Sequence, residues 1–104
     1  MVEVSNAFGL SAKTIQSLHS VFSRWPAIDF VVIYGSRAKG IFKEGSDIDL
    51  TVVGNLSVQD LLQIETQLDE LDLIYKIDLS LFSKIENPQL KEHISRVGKK
   101  FYSR

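Results

Sequence analysis

The segment Val31–Val53, VVIYGSRAKGIFKEGSDIDLTVV, constrains the fold most, because it sets two acids into an otherwise apolar strand. Asp47 and Asp49 alternate with Ile48 and Leu50, so the acids share one strand face and the apolar residues the other. Aspartate is unfavourable in strands, and a buried unpaired carboxylate is costly. A chain that keeps both acids here needs something that compensates their charge.

Hydrophobic periodicity and capping residues predict the other elements around this strand. Helices are predicted at Ser11–Arg24, Ser36–Phe42, Ser57–Leu71 and Asn87–Gly98, and strands at Asp29–Tyr34, Asp47–Val53 and Leu73–Phe82. The last two strands are joined by a helix, which predicts a parallel pair. The remaining residues, 99–104, are interpreted as a short basic tail.

These elements predict a small α/β (α+β) protein with a mixed sheet. Helices are expected to pack on one sheet face, and a partly open second face is expected to carry Asp47, Asp49 and Asp78. With 104 residues, of which 44% are hydrophobic and 24% charged, the chain is expected to form one domain over residues 1–104.

Charge and cysteine content exclude several classes of partner. A formal net charge of −1 gives no overall attraction to nucleic acid or to anionic membranes. No cysteine is present for a disulfide or thiolate metal site, and no apolar run reaches the roughly 18 residues of a membrane span. A cytoplasmic protein without direct nucleic-acid binding is therefore expected.

Three acids on one sheet face predict a metal site. Residues two apart in a strand lie about 6.6 Å apart and neighbouring strands about 4.8 Å apart, so Asp78 can approach Asp47 and Asp49. Their mutual repulsion is relieved by a cation, and oxygen-only ligands favour Mg²⁺ or Mn²⁺. Two such ions would suit phosphoryl displacement. Asp72 is the alternative third acid, but it lies at a helix end, out of strand register.

The Gly35-Ser36 pair, between a strand and a short helix, predicts a phosphate site. Backbone N–H groups at a helix start are free to bind phosphate, and glycine lets the backbone approach closely. Arg37, Lys39 and Lys43 add positive charge nearby. The sequence lacks the P-loop and dinucleotide-binding motifs, so neither site is predicted.

Gly35-Ser36, ten intervening residues, Asp47-Ile48-Asp49 and a later Asp78 together resemble the nucleotidyltransferase signature of the DNA polymerase β superfamily. The chain looks like a minimal nucleotidyltransferase with the polymerase β palm-like fold. The resemblance, over roughly residues 28–82, implies that Gly35 and Ser36 contact the terminal phosphates of the nucleotide, and the charge of Arg37 makes it a further predicted nucleotide-binding residue. The resemblance also implies that Asp47 and Asp49 hold two Mg²⁺ ions, while Asp78 ligates the metal on the acceptor side.

The same resemblance implies a nucleotide substrate and a partner. Minimal nucleotidyltransferases are commonly paired, as antitoxins, with a small all-helical HEPN protein, and some transfer AMP from ATP to a tyrosine of the partner. The first hypothesis is thus an enzyme that uses an NTP, with ATP expected, in a homo- or hetero-oligomer. The second is a non-catalytic module that neutralises its partner by masking it, and the third is a metal-dependent phosphohydrolase.

Other conspicuous residues are interpreted structurally. Trp25 and Tyr34 are expected in the core or at its boundary, and His19 and His93 are expected to be packing or solvated residues. Six basic and two acidic residues between Lys84 and Arg104 are interpreted as a solvated face, and the alternative is a partner surface. Its predicted docking element is the last helix with Phe101 and Tyr102.

Overall fold

A computed structural model describes residues 7–104 of the chain. Its helices are α1 (Ala12–Phe22), α2 (Gly35–Lys39), α3 (Val58–Asp69) and α4 (Pro88–Val97), and its strands are β1 (Ile28–Tyr34), β2 (Ile48–Gly54), β3 (Ile77–Leu81) and β4 (Lys99–Ser103). The strands form a mixed sheet in the order β3-β2-β1-β4. β2 and β3 are parallel, as predicted, whereas β1 is antiparallel to both of its neighbours. The predicted fold class is confirmed.

The first face of the sheet carries the main hydrophobic core. Apolar residues of β1, β2 and β3 cluster there with α1 and α3, and seven of them are Leu18, Phe22, Ile33, Leu50, Ile64, Leu68 and Leu79. Each of these side chains is less than a tenth exposed. Burying a side chain of this size stabilises the fold by roughly 1.5–3 kcal/mol relative to its exposed state. This layer supports the strand that carries the acids.

The second face is partly open, as expected, but α4 covers the rest of it, so the prediction that the helices pack on one sheet face is wrong for α4. The ring of His93 on α4 meets the ring of Tyr34 on β1 edge-on, with centroids 6.3 Å apart. At the end of α4, a β-carbon on Gly98 would clash with Val32 of β1. The helix therefore rests on β1 and leaves the neighbouring part of β2 and β3 accessible.

Helix boundaries follow the predicted capping residues. The side chain of Ser11 accepts a hydrogen bond at the start of α1, and Asn87 does the same before Pro88 of α4. Ser57 and Asp60 form a reciprocal capping box at α3. Each such cap contributes about 1 kcal/mol and sets where its helix begins.

Three further sequence-based interpretations are wrong in detail. Residues 99–104 are not a tail, because Lys99–Ser103 form the edge strand β4 against β1. Phe101 is 7% exposed and packs against Phe22, so it lies in the core and cannot belong to a docking surface. The third strand begins at Ile77, four residues later than predicted.

Within residues 7–104, every helix is too short or too polar to cross a bilayer.

Candidate active site

Three residues on neighbouring strands form a row across the second sheet face. Tyr34 of β1 pairs with Asp49 of β2, and Asp49 pairs with Asp78 of β3. Paired residues project from the same sheet face. The predicted approach of Asp78 to Asp49 is therefore confirmed, because the parallel register of β2 and β3 sets the two acids side by side.

The surroundings of Asp49 disfavour its charged form. Burial raises the pKa of Asp49, and the carboxylates of Asp78 and then Asp47 raise it further. His93 acts in the opposite direction on the same pKa. Burial, followed by the Asp78 carboxylate, also raises the pKa of Tyr34, against a hydrogen bond with Ser80. Asp47, Asp49 and Asp78 thus share a region of excess negative charge.

The carboxylates are near one another without forming a ready-made metal cage. Within the described residues, no three acidic or histidine side chains are gathered closely enough to ligate one ion. Asp49 and Asp78 nevertheless occupy directly paired positions, so a change of side-chain rotamer can bring their oxygens together. The oxygen donors and their excess negative charge fit a hard divalent cation such as Mg²⁺.

Gly35 lies directly beside Asp49. Its φ is +75°, in the left-handed region that favours glycine, and a β-carbon there would clash with Oδ2 of Asp49. Ser36 follows in α2 and is partly exposed. The structure therefore brings the predicted phosphate-binding pair and a predicted metal ligand to one corner of the sheet.

Arg37 lies next to this corner but is engaged by the protein itself. Its side chain is 2% exposed and donates to the carbonyl oxygen of Ser46 through Nε and Nη2, at 3.1 and 2.8 Å. Nη1 donates to the Phe8 carbonyl oxygen at 2.8 Å, and the guanidinium lies over the ring of Phe42. Ser46 immediately precedes Asp47, so Arg37 positions the loop that presents that acid. Nucleotide binding by Arg37 stays a prediction.

The other predicted charges lie outside the row. Lys39 and Lys43 are exposed, on α2 and on the loop after it. Asp72, the rival third acid, is exposed in the loop after α3, with a left-handed φ of +56°. Unlike Asp78, it does not contribute to the raised pKa of Asp49. The geometry therefore favours Asp78 as the third acid.

Tyr34 packs as the sequence predicted, but it also lies in the row with Asp49 and Asp78, and His93 borders that row. The sequence interpretation missed both positions at the site. Tyr34 is 8% exposed, and its ring supports His93 from α4. The register of Tyr34 could have been anticipated from the antiparallel pairing of β1 and β2. Nothing in the sequence indicates that His93, far along the chain, returns to this row. His19 does pack as expected, and its Nε2 lies 2.8 Å from the carbonyl oxygen of Phe101.

A mixed sheet with acids registered on adjacent strands, beside a glycine-led helix, is typical of nucleotidyltransferases. The chain belongs to the polymerase beta nucleotidyltransferase family, whose sequence profile matches residues 16–104. No curated protein is significantly similar to the chain in sequence.

Solved structures share the fold at low sequence identity. A toxin–antitoxin complex with AMP-PNP has a chain with a TM-score of 0.66 and 20% identity, matching 91% of this chain and 75% of its own. The MntA-HepT toxin–antitoxin complex has a chain with a TM-score of 0.64 and 15% identity, matching 90% of this chain and 74% of its own. The complex of a tri-AMPylated Shewanella oneidensis HEPN toxin with an MNT antitoxin has a chain with a TM-score of 0.63 and 15% identity. It matches 89% of this chain and 72% of its own.

Proposed function

We propose that the chain transfers a nucleoside monophosphate from an NTP, with ATP as the expected donor, to a hydroxyl group of a HEPN-type partner protein. The bond from the α-phosphorus to the oxygen that bridges the α- and β-phosphates breaks, and pyrophosphate leaves with that electron pair. The acceptor oxygen bonds to the α-phosphorus and releases its hydroxyl proton to solvent. The observation that carries the proposal is the pairing of Asp49 with Asp78 beside Gly35. Family membership supports the reaction class.

Each site residue has a role that its position suits. Gly35 and Ser36 would bind the terminal phosphates through backbone N–H groups and the serine hydroxyl, because a glycine leaves room for close approach. Asp47 and Asp49 would hold two divalent ions, Mg²⁺ or Mn²⁺, and Asp78 would ligate on the acceptor side. When bound, such ions neutralise the charge that develops on the phosphoryl oxygens. Arg37 would preserve this arrangement by fixing Ser46.

The HEPN partner and the AMP group are proposed from similarity. The solved relatives include a HEPN toxin that carries AMP groups in complex with an MNT antitoxin, and a complex with AMP-PNP. With a domain proposed to span residues 1–104, the chain would supply the catalytic acids and the partner would supply the acceptor. Positioning and charge neutralisation would lower the barrier, without a nucleophilic side chain on this chain.

A transfer assay with labelled nucleotide tests the proposal. The chain is incubated with Mg²⁺, α-labelled ATP and a HEPN protein of the kind bound by the related antitoxins, with Asp47→Asn/Asp49→Asn as the inactive variant. Label on the partner that disappears with the variant is expected. Partner neutralisation that persists with the variant, without labelling, would instead support masking. Release of nucleotide without a labelled acceptor would indicate a phosphohydrolase.

A further inference from the structure

An apolar groove lies on the second sheet face, between α4 and strands β1 and β2. Its volume is about 370 Å³, and its lining includes Phe30, Val32, Val53, Phe82, Ile94 and Gly98. The side chains of Phe30, Val32, Val53 and Phe82 are only partly buried, although all four are apolar. A groove of this size accommodates one or two large apolar side chains of a partner.

A register irregularity in β4 leaves the groove open. The pairing of β1 with β4 shifts between Val31 and Val32, so that Val31 pairs with Tyr102 and Val32 with Lys100. Phe101 and Tyr102 both contact Phe22 of α1, on the first face of the sheet. On the groove side, β4 therefore places Lys100 opposite Val32. In a regular strand this position would carry an apolar side chain.

Two lysines lie beside aromatic rings that line the groove. Nζ of Lys100 lies 5.4 Å from the ring centroid of Phe30, and Nζ of Lys91 lies 5.8 Å from that of Phe82. Among residues 7–104 the only salt bridge joins Arg96 and Glu92, so neither lysine pairs with a described carboxylate. An apolar floor with two such cations is complementary to an apolar segment that carries acids.

The groove is continuous with the acidic row. Val32 lies two residues before Tyr34 on β1, and Ile94 follows His93 on α4. Val53 is four residues from Asp49 along β2, a distance of about 13 Å. A protein segment bound in the groove would therefore lie beside the row that is proposed to hold the reacting groups.

A second copy of this chain fits the groove less well, despite a suitable helix. Helix α3 is acidic and exposes Val58 and Leu62, which are 53% and 56% accessible. However, α3 covers the first sheet face and the groove opens on the second, so the contact would run head to tail. Such contacts generally do not close into a defined dimer and tend to form open chains.

We propose that the groove between α4 and β1 docks an acidic amphipathic segment of the partner protein and thereby brings the acceptor to the acids. The segment would insert apolar side chains between Ile94 and Phe30 and direct carboxylates to Lys91 and Lys100. The partner's role as acceptor rests on the proposed function, whereas the binding of the segment in the groove does not. Docking requires neither nucleotide nor metal.

Fluorescence anisotropy with a defined probe tests the docking. The probe is a fluorescein-labelled helical peptide of 18 residues with leucines along one face and glutamates elsewhere. Two matched peptides replace either every glutamate by lysine or every leucine by serine. We expect the first peptide to bind at least about tenfold more tightly than both controls, and to weaken as salt is raised.

Variants of the chain locate the binding. Lys91→Glu/Lys100→Glu should weaken binding at least about fivefold, whereas Lys13→Glu/Arg24→Glu, with the same charge change at exposed positions on and after α1, should not. Ser95→Trp, at an exposed position on the groove wall, should block the groove while keeping both lysines. Circular dichroism melts establish that each variant is folded.

Several outcomes would overturn the groove proposal. The first is equal binding of all three peptides, and the second is an equal loss of peptide binding in Lys91→Glu/Lys100→Glu and in Lys13→Glu/Arg24→Glu. The others are preferential binding to anionic lipid vesicles and a concentration-dependent self-association that Leu62→Ser abolishes. Intact peptide binding without nucleotide transfer to a HEPN partner would count against the proposed function alone. Transfer that survives Ser95→Trp unchanged would count against the groove alone.

Discussion

Gly35 and Asp49 lie so close together that a β-carbon on Gly35 would overlap Oδ2 of the Asp49 carboxylate. The backbone of Gly35 is also left-handed, with φ of +75°. One residue therefore satisfies two requirements, a turn that only glycine adopts easily and space for the acid that follows it on β2. This contact links the proposed phosphate site to the proposed metal site.

Replacing Gly35 should lower nucleotide-transfer activity by more than the accompanying loss of folding stability explains. Gly35→Ala carries the left-handed strain, about 1–2 kcal/mol, and in addition displaces the Asp49 carboxylate. A displacement of about 1 Å in a catalytic group can cost about 100-fold in rate. We expect a lower thermal midpoint and at least about a 100-fold loss of nucleotide transfer, measured with α-labelled ATP.

Gly40→Ala is the matched control for this change. Gly40 has a φ of +79°, but a β-carbon there would meet no atom within 4 Å. Its thermal midpoint should fall by a similar amount, about 4–15 °C, while transfer is retained. Equal losses of transfer in the two variants would contradict the role given to the contact between Gly35 and Asp49.

The identity of the third acid can be decided with two conservative variants. Asp78 pairs directly with Asp49, whereas Asp72 is exposed in a loop with a φ of +56°, a conformation that asparagine also tolerates. Asp78→Asn should lower kcat for transfer by at least about 100-fold, because it removes charge next to the reacting groups. Asp72→Asn should leave kcat unchanged, and the reverse pattern would refute the assignment.

Arg37 should contribute mainly to stability. Arg37→Lys keeps the charge but cannot reproduce the paired donation to Ser46 together with the bond to Phe8. Chemical denaturation should show a loss of about 2–4 kcal/mol in the free energy of unfolding. Lys39→Arg, a reverse exchange at an exposed position, should change it by less than about 0.5 kcal/mol. An unaltered stability with a raised KM for ATP would make Arg37 a nucleotide ligand instead.

The stability of the metal-free protein should depend on the ionisation of Asp49. Burial and the carboxylates of Asp78 and Asp47 raise the pKa of Asp49 in the folded state, so the folded chain binds its proton more tightly than the unfolded chain. Its contribution to the free energy of unfolding therefore falls as pH rises from about 4 through the raised pKa, and stays low at neutral pH. Melts in chelator should show this fall.

Removing the charge should remove that part of the pH dependence. Asp49→Asn is expected to raise the thermal midpoint in chelator at pH 7 by about 1–3 °C, a small value because the side chain is partly solvated. Asp29→Asn, an exposed acid at the start of β1, serves as the control and should leave the midpoint nearly unchanged. A marked drop for Asp49→Asn would show that its carboxylate stabilises the fold.

Local patterns were sufficient to predict the helices, the first three strands and the approach of Asp78 to Asp49. Alternation in the segment that holds Asp49 gives its face, and a helix between two strands predicts the parallel pair, so the approach of Asp78 followed from the sequence. Capping residues such as Ser57 also indicated the helix starts. Each of these inferences depends on residues close in sequence or on a general rule of connection.

Inferences that depend on distant packing were wrong or missed. Strand β4 carries two lysines and looks like a polar tail, and only its pairing with β1 and the burial of Phe101 against α1 reveal a strand. The guanidinium of Arg37 is buried by Phe8 and Ser46, which no local pattern indicates. His93 reaches the acidic row only because α4 folds back over β1.

The central claim, that the acids beside Gly35 bind divalent cations together with a nucleotide, is tested most directly by a Mn²⁺ titration followed by electron paramagnetic resonance. The titration is carried out with AMP-PNP present, on the wild-type chain and on Asp47→Asn/Asp49→Asn. We predict that the wild-type chain with bound AMP-PNP holds two Mn²⁺ ions, one more than AMP-PNP binds alone, and that the variant loses this extra uptake. Equal Mn²⁺ uptake by both proteins, or none by the wild type, would contradict the account.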